Sequence, residues 1–267
     1  MNPNELIDTA KKISDIAPEA YSDIVHPAAQ NTGKALGTIT GLLNTVLTPL
    51  ELLNETISAK KECFLNEYKQ NLNNIPKEKI CPANFAVVAP MIEHLKFKLT
   101  EDELRQKYAK LISEASNSDS SMKPLLSFDN VLDQLTPYEI ELLSLLFSKL
   151  PDQNYPLASI KLTSKVGYSF SHKNIPEITF KELSFETISI MISNFERLGL
   201  VNIDYVQYVE PATRYNYIND SPLFHEVQKQ CDELRNKTGL PYPVCSIAKH
   251  SFNLTEFGKS FVTTVIQ

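Results

Sequence analysis

Residues 33–54 read GKALGTITGLLNTVLTPLELLN, and from Ala35 to Leu50 they carry no charged side chain. Gly33, Gly37 and Gly41 recur every fourth residue, so a helix formed here carries all three on one face of bare backbone. Glycine costs a helix interior roughly 1 kcal/mol relative to alanine, so three in phase call for a compensating contact. One reading is a soluble helix tucked against a neighbour. The other is a membrane-active helix, because small residues at this spacing permit close helix approach in lipid and hence oligomers. Spanning a bilayer takes about 20 mostly apolar residues. The uncharged run is shorter and contains four threonines, an asparagine and a proline. That argues against a constitutive transmembrane helix and for packing, or for membrane association on triggering.

On the N-terminal side, Leu6, Ile7, Ala10, Ile13 and Ala17 lie at helical spacing and Pro18 ends the pattern, which makes residues 1–32 an amphipathic helix and a connector. On the C-terminal side, Pro49 should kink or interrupt the glycine-bearing helix. From Glu51 to near Asn73 and Asn74 the chain then predicts a solvated helix with Leu52, Leu53, Thr56, Cys63, Phe64 and Tyr68 among its charges. From Pro82, PANFAVVAPMIEHLKF is apolar nearly all round and predicts a buried helix with proline in its first turn. Thr100 and Glu103 have the spacing of a capping box for EDELRQKYAKLISEAS, with Glu101–Arg105 and Glu103–Lys107 as i,i+4 pairs. PLLSFDNVLDQL adds a short helix, and Thr136-Pro137-Tyr138-Glu139 is a second capping box opening YEIELLSLLFSKL. Residues 33–135 therefore form a helical domain.

Residues 136–267 predict a winged-helix-like domain. Tyr138 to Leu150 is its first helix and Leu157 to Thr163 a short second one. Ser184 caps FETISIMISNFERL, which Gly199 stops in the place of a recognition helix. LVNIDYVQYV and VCSIAKHSF predict two paired strands, and LTEFGKSFVTTVI a closing helix. Residues 215–243 are too long for a simple wing and contain SPLFHEVQKQCDELRN, an inserted helix. A DNA-reading helix needs basic and amide side chains. This one offers Asn194 and a single Arg197 among Glu182, Glu186 and Glu196, which favours a structural or protein-contact role.

Four of these runs, GKALGTITGLLNTVLTPLELL, IPKEKICPANFAVVAPMIEHLKF, EDELRQKYAKLISEAS and FDNVLDQLTPYEIELL, together with the C-terminal LTEFGKSFVTTV, resemble the Abi-alpha family in order and spacing. Its members end in a similar Leu-Thr-x-x-Gly-x-x-Phe. The resemblance extends from about Gly33 to the C-terminus. It implies abortive infection, a bacterial defence in which a phage-infected cell stops growing or dies. None of these motifs is catalytic.

Composition sets the outer bounds. The 267 residues are 42% hydrophobic and 22% charged with a formal charge of −6, ordinary globular material without the basic balance of a nucleic-acid binder. Cys63, Cys81, Cys231 and Cys245 form no Cys-x-x-Cys pair, and MNPNELIDTAKK lacks the order of a signal peptide, which points to a reducing cytoplasm. Among His26, His94, His172, His225 and His250 no two stand at i,i+3 or i,i+4, and no phosphate-binding, hydrolase or dinucleotide motif occurs. The expectation is a mainly α protein: an N-terminal helical region followed by a winged-helix-like α+β domain with a small antiparallel sheet. It would need no cofactor, metal or catalytic residue. It would act non-enzymatically on a protein partner or phage-derived trigger, as a homo-oligomer or through conditional association with the inner membrane. The alternative is a winged-helix nucleic-acid-binding regulator.

Overall fold

The computed structural model describes residues 27–52, 54–147 and 152–267. The helix expected over Asn4–Ala17 lies outside them, as do His26 and Leu53. The chain divides into two compact units, Met1–Ile140 and Glu141–Gln267, and the division falls inside one helix five residues past the boundary expected at 135/136.

The described part of the first unit is all helical. Its helices are α1 (Pro27–Glu51), α2 (Thr56–Asn73), α3 (Phe85–Lys98), α4 (Asp102–Glu114) and α5 (Leu125–Asp133), with α6 (Pro137–Phe147) running across the division. Pro49 falls in the last turn of α1, which ends two residues later. Phe64 and Tyr68, one turn apart on α2, are fully buried with parallel rings 6.3 Å apart. They pack with Val88, Met91, Ile92 and Leu95 of α3, Leu104, Tyr108, Leu111 and Ile112 of α4, and Phe128 and Leu132 of α5 into the unit's core. Leu52, Thr56 and Cys63 of the expected packing stripe are exposed instead; Ile57 and Leu72 hold the buried places. Helix α3 starts three residues after Pro82, because Asn84 caps it by accepting the Ala86 amide at 2.9 Å. Phe85 and Phe97 on its outer side are exposed, so it is not buried all round.

Two expected capping boxes have opposite outcomes. Thr136 and Glu139 form theirs: the Thr136 amide donates to Glu139 Oε2 at 2.8 Å and the Glu139 amide to Thr136 Oγ1 at 3.2 Å. The Thr100–Glu103 box does not form, because α4 begins one residue later with Glu101 as its N-cap. Arg105 likewise leaves Glu101. Its guanidinium is 5% exposed and reaches across to Glu67 of α2, with Nη2 at 2.7 Å and Nε at 3.0 Å, while Nη1 bonds Asp102. Two carboxylates hold the buried guanidinium in one orientation, and removing Glu67 would leave it without its main partner.

The second unit is built on an antiparallel sheet of order β2-β1-β4-β3: β1 (Tyr155–Ser164), β2 (Gly167–Pro176), β3 (Val201–Asp204) and β4 (Val244–Leu254). β1 occupies the segment expected as the second helix, which corrects that reading. LASIKLT is a short apolar run whose period does not separate a buried strand from a helix. β-branched Ile160 and Thr163 together with neighbours on both edges decide for strand: Leu157 pairs with Pro176 on one side and His250 on the other. β2 was not anticipated. β3 is shorter than LVNIDYVQYV suggested, because Asp204 Oδ1 accepts the Val206 and Gln207 amides at 2.8 Å each and turns the chain away.

One sheet face is covered and the other is covered in part. Ala158, Ile160 and Ile175 pack on Tyr215, Ile218, Val227 and Cys231 of the insertion, whose helices are α8 (Asn216–Asn219) and α9 (Pro222–Thr238). On the opposite face Phe147 stands edge-on to Tyr155 at 5.4 Å and to Phe252 at 6.3 Å. Helix α7 (Phe185–Arg197) is capped by Ser184, which accepts the Thr187 amide at 3.3 Å, and closed by Gly199 at φ 73°. Helix α10 (Glu256–Phe261) and a π-helical turn over Val262–Ile266 finish the chain. Thus the chain is mainly helical with one small antiparallel sheet, without the second helix of a winged-helix unit at Leu157–Thr163.

The Leu-Thr-x-x-Gly run at 254–258 has a local explanation. Thr255 caps α10 by accepting the Gly258 amide at 2.9 Å, and the same hydroxyl donates to the Gly199 carbonyl at 2.6 Å. The Thr255 amide donates to the Leu200 carbonyl at 3.0 Å. A Cβ on Gly258 would stand 1.9 Å from that carbonyl oxygen. Gly258→Ala should therefore displace backbone and cost about 3 kcal/mol or more in urea unfolding; an unchanged midpoint would contradict the close approach.

Candidate functional site

The glycine-bearing helix has a buried side and a bare side. Ala35, Ile39, Leu43 and Leu47 are each 0% exposed, and this i,i+4 stripe packs on α2 and α3. Each glycine precedes a buried residue by two positions, about 200° around a helix that turns ~100° per residue, so all three point away from the packed side. They are exposed, and a Cβ added to any of them would meet nothing within 4 Å. The close neighbour expected at Gly33, Gly37 and Gly41 is not supplied by the described residues of this chain.

The rest of that face is less polar than its composition suggests. Thr38 Oγ1 donates to the Lys34 carbonyl at 2.9 Å and Thr45 Oγ1 to the Gly41 carbonyl at 3.0 Å, and Thr48 bonds the Asn44 carbonyl in the same way. Hydroxyls bonded back to the preceding turn leave methyl groups and backbone as the outer surface. The end of the helix is tied to α2 by Lys61, which donates to Asn44 Oδ1 at 3.2 Å and forms an ion pair with Glu51 at 2.5 Å. The result is a smooth, uncharged strip held on a rigid element. No helix among the described residues is long and apolar enough to cross a membrane.

Asn194 and Arg197 lie together in the last turns of α7. Arg197 donates through Nε at 3.0 Å and Nη2 at 2.7 Å to Asn194 Oδ1, so the side chains suggested for nucleic-acid contact engage one another. Ile188, Met191, Ile192 and Phe195 form the buried side of this helix.

Two polar constellations of the first unit had no signature in the sequence. A cleft of about 380 Å³ is lined by Cys81, Asn84, Glu114, Ser120, Lys123 and Ser127 among others. Its walls are joined where the Cys81 amide donates to the Ser116 carbonyl at 2.9 Å and Ile80 bridges to Asn117. Within it Glu114 accepts from Lys123 Nζ at 3.0 Å and from Ser120 Oγ. Elsewhere, His94 Nδ1 on α3 lies 3.0 Å from both carboxylate oxygens of Asp129 on α5, whose acid strength burial weakens and the His94 contact partly restores. Both constellations join residues more than thirty positions apart. Among the described residues no group of three or more His, Cys, Asp or Glu is placed to hold a metal ion.

Fold and surface together define a mainly helical protein with a small antiparallel sheet, distinguished by an exposed helix face that carries three glycines. The chain belongs to the abortive infection alpha family, whose model matches residues 58–265. The match begins after α1, so the glycine-bearing helix precedes the matched region, in contrast to the resemblance drawn from about Gly33. No curated protein and no solved structure matches the chain.

Because nothing opposes a Cβ at the three positions, replacing Gly33, Gly37 and Gly41 with alanine should stabilise the protein by about 0.5–1 kcal/mol each. Chemical denaturation of the single and triple variants measures this, and destabilisation would reveal a contact to the glycine face.

Proposed function

We propose that this chain serves bacterial anti-phage defence by abortive infection, and that it acts non-enzymatically through contacts of the α1 glycine face with a protein or with the membrane. Membership of the abortive infection alpha family supports the defence role. The single observation that supports the mode of action is the strip of Gly33, Gly37 and Gly41, exposed and opposed by nothing within 4 Å. Three glycines at about 1 kcal/mol each are a standing cost to the free helix, which a partner helix or a lipid-facing assembly recovers by approaching the backbone closely. The protein would rest in the cytoplasm and meet the inner membrane or a second copy of itself when a phage-derived trigger releases it.

The test is a phage challenge of cells producing the protein, at low and high multiplicity, with a membrane-potential dye read beside culture density. Protection at low multiplicity, collapse at high multiplicity and early depolarisation are expected for the parent. Gly37→Leu is expected to remain folded and to lose protection. Protection without depolarisation would move the contact to a cytosolic protein. A fully protective Gly37→Leu variant would remove the glycine face from the mechanism.

The second reading, a winged-helix nucleic-acid-binding regulator, draws on the order α6, α7, β3, β4 and on Asn194 and Arg197. The mutual bond of those two side chains and the acidic residues Glu182, Glu186 and Glu196 around them weigh against it.

A further inference from the structure

Half of one sheet face in the second unit lies open, and its composition departs from the rest of the chain. From Tyr155 to Pro176, strands β1 and β2 and the turn between them contain Lys161, Lys165 and Lys173 and no aspartate or glutamate, and β4 contains no acid; its Lys249, opposite Ala158, belongs to the covered face. In a chain of formal charge −6 this is a local reversal of sign. The register sorts these residues by face. Lys161 stands opposite Phe170 and Ser246, Thr163 opposite Tyr168 and Val244, and Ser159 opposite Ala248, so the two rings share a surface with Lys161 and small side chains of β4. Tyr168 is 64% exposed. Lys161 Nζ lies 4.2 Å from the centre of its ring, and Lys173 Nζ 5.4 Å from that of Phe170. Among the described residues neither lysine has a carboxylate at ion-pair distance.

The same face has a floor. His250, opposite Leu157 in the register, is 4% exposed beneath Tyr205 at 5.1 Å and Phe170 at 6.4 Å between ring centres. Its Nδ1 lies 3.2 Å from the Tyr205 carbonyl, to which it donates, and its buried Nε2 has no hydrogen-bond partner. Burial pushes this imidazole below its ordinary value, so the neutral ring with an unused acceptor is the form that stands there. Tyr205, 49% exposed, sits on the turn that leaves β3. The nearby acids are engaged elsewhere: Asp204 holds the Val206 and Gln207 amides, and Glu186 faces His172 at 3.8 Å.

We propose that this open face binds single-stranded nucleic acid: Tyr168, Phe170 and Tyr205 stack on bases, and Lys161, Lys165 and Lys173 neutralise the phosphates beside them. His250 Nε2 offers an acceptor to a base N–H when the Tyr205 ring shifts to stack. Flat rings interleaved with unpaired ammonium groups suit a chain that alternates aromatic planes and anions, and each stacked base is held without regard to its identity. A duplex hides its base planes, and an acidic peptide would use the lysines and leave the rings idle. This surface adjoins α7 through the Ser189 hydroxyl, which donates to the Lys173 carbonyl at 2.6 Å, but does not use Asn194 or Arg197, and it does not depend on the glycine face.

The test is fluorescence anisotropy of the full chain with labelled oligo-uridine RNA, oligo-thymidine DNA and a duplex, each of about 12 nucleotides, within the ~4–16-nucleotide site sizes of such platforms. Saturable binding of one or both single strands at about 50 mM salt, weakening by 200 mM, is expected, with the duplex at least about tenfold weaker. The stronger single strand distinguishes RNA from DNA. Tyr168→Ala should weaken binding about five- to a hundredfold while Tyr168→Phe retains it. Lys161→Gln should flatten the salt dependence by about 0.7 in log–log slope, and Lys229→Gln on α9 should change nothing. Circular dichroism confirms that each variant is folded. No anisotropy change with either single strand, equal affinity for duplex, parent-like binding by folded Tyr168→Ala, or full competition by poly-glutamate would each overturn the proposal.

Discussion

The second unit depends on one place where two backbones nearly touch. Gly258 lies against the Leu200 carbonyl at a distance no side chain permits, while Thr255 bonds the carbonyls of Gly199 and Leu200 with its hydroxyl and its amide. Four elements end or begin there: α7 stops at the left-handed Gly199, β3 starts at Val201, β4 ends at Leu254 and α10 starts at Glu256. Holding β3 against the end of β4 fixes Val201 opposite Leu254 and Ile203 opposite Phe252. That places Phe252 under Phe147 and Tyr155, and the aromatic cluster of one sheet face follows.

In the first unit, polar contacts define how the helices register. Arg105 reaches from α4 to Glu67 on α2, and the Tyr68 hydroxyl lies 2.9 Å from that of buried Ser116. Leucine and isoleucine surfaces slide past one another at little cost, whereas a buried guanidinium or phenol is satisfied in few arrangements. Burial raises Tyr68 to about 12, so its hydroxyl stays protonated as part of the core. The apolar faces supply most of the stability and these bonds select one alignment of α2 and α4.

Much of this was legible wherever a local rule had one meaning. Ser184 and Gly199 bounded α7, and Thr136-Pro137 with Glu139 opened α6, because caps act within a single turn. The insertion helix was equally plain. The β1–β2 hairpin was not: its two-residue turn is Lys165-Val166 rather than an Asn-Gly or Asp-Gly pair, and the first half of β1, Pro156 to Ile160, is buried on both faces, so neither turn chemistry nor alternation marked it. The orientation of α1 was available but misjudged. Ala35, Ile39, Leu43 and Leu47 outweigh glycine in deciding which side is buried, since burying a side chain removes apolar area from water and burying a glycine removes almost none. The cleft at Glu114 and Lys123, and the open face with Lys161, Tyr168 and Tyr205, arise from contacts between distant segments, which no window along the chain contains.

The edges of the sheet bear on how copies of this protein could meet. β3, at one edge, is only four residues long. β2, at the other, loses its regular register twice against β1, carries Lys173, and ends at Pro176, which has no amide hydrogen to donate. A strand arriving from another molecule would find no straight ladder of unpaired amides and carbonyls on either side. Both edges of this sheet therefore disfavour self-association by strand addition, which leaves the exposed helix faces of the described residues as the surfaces better suited to an ordered assembly.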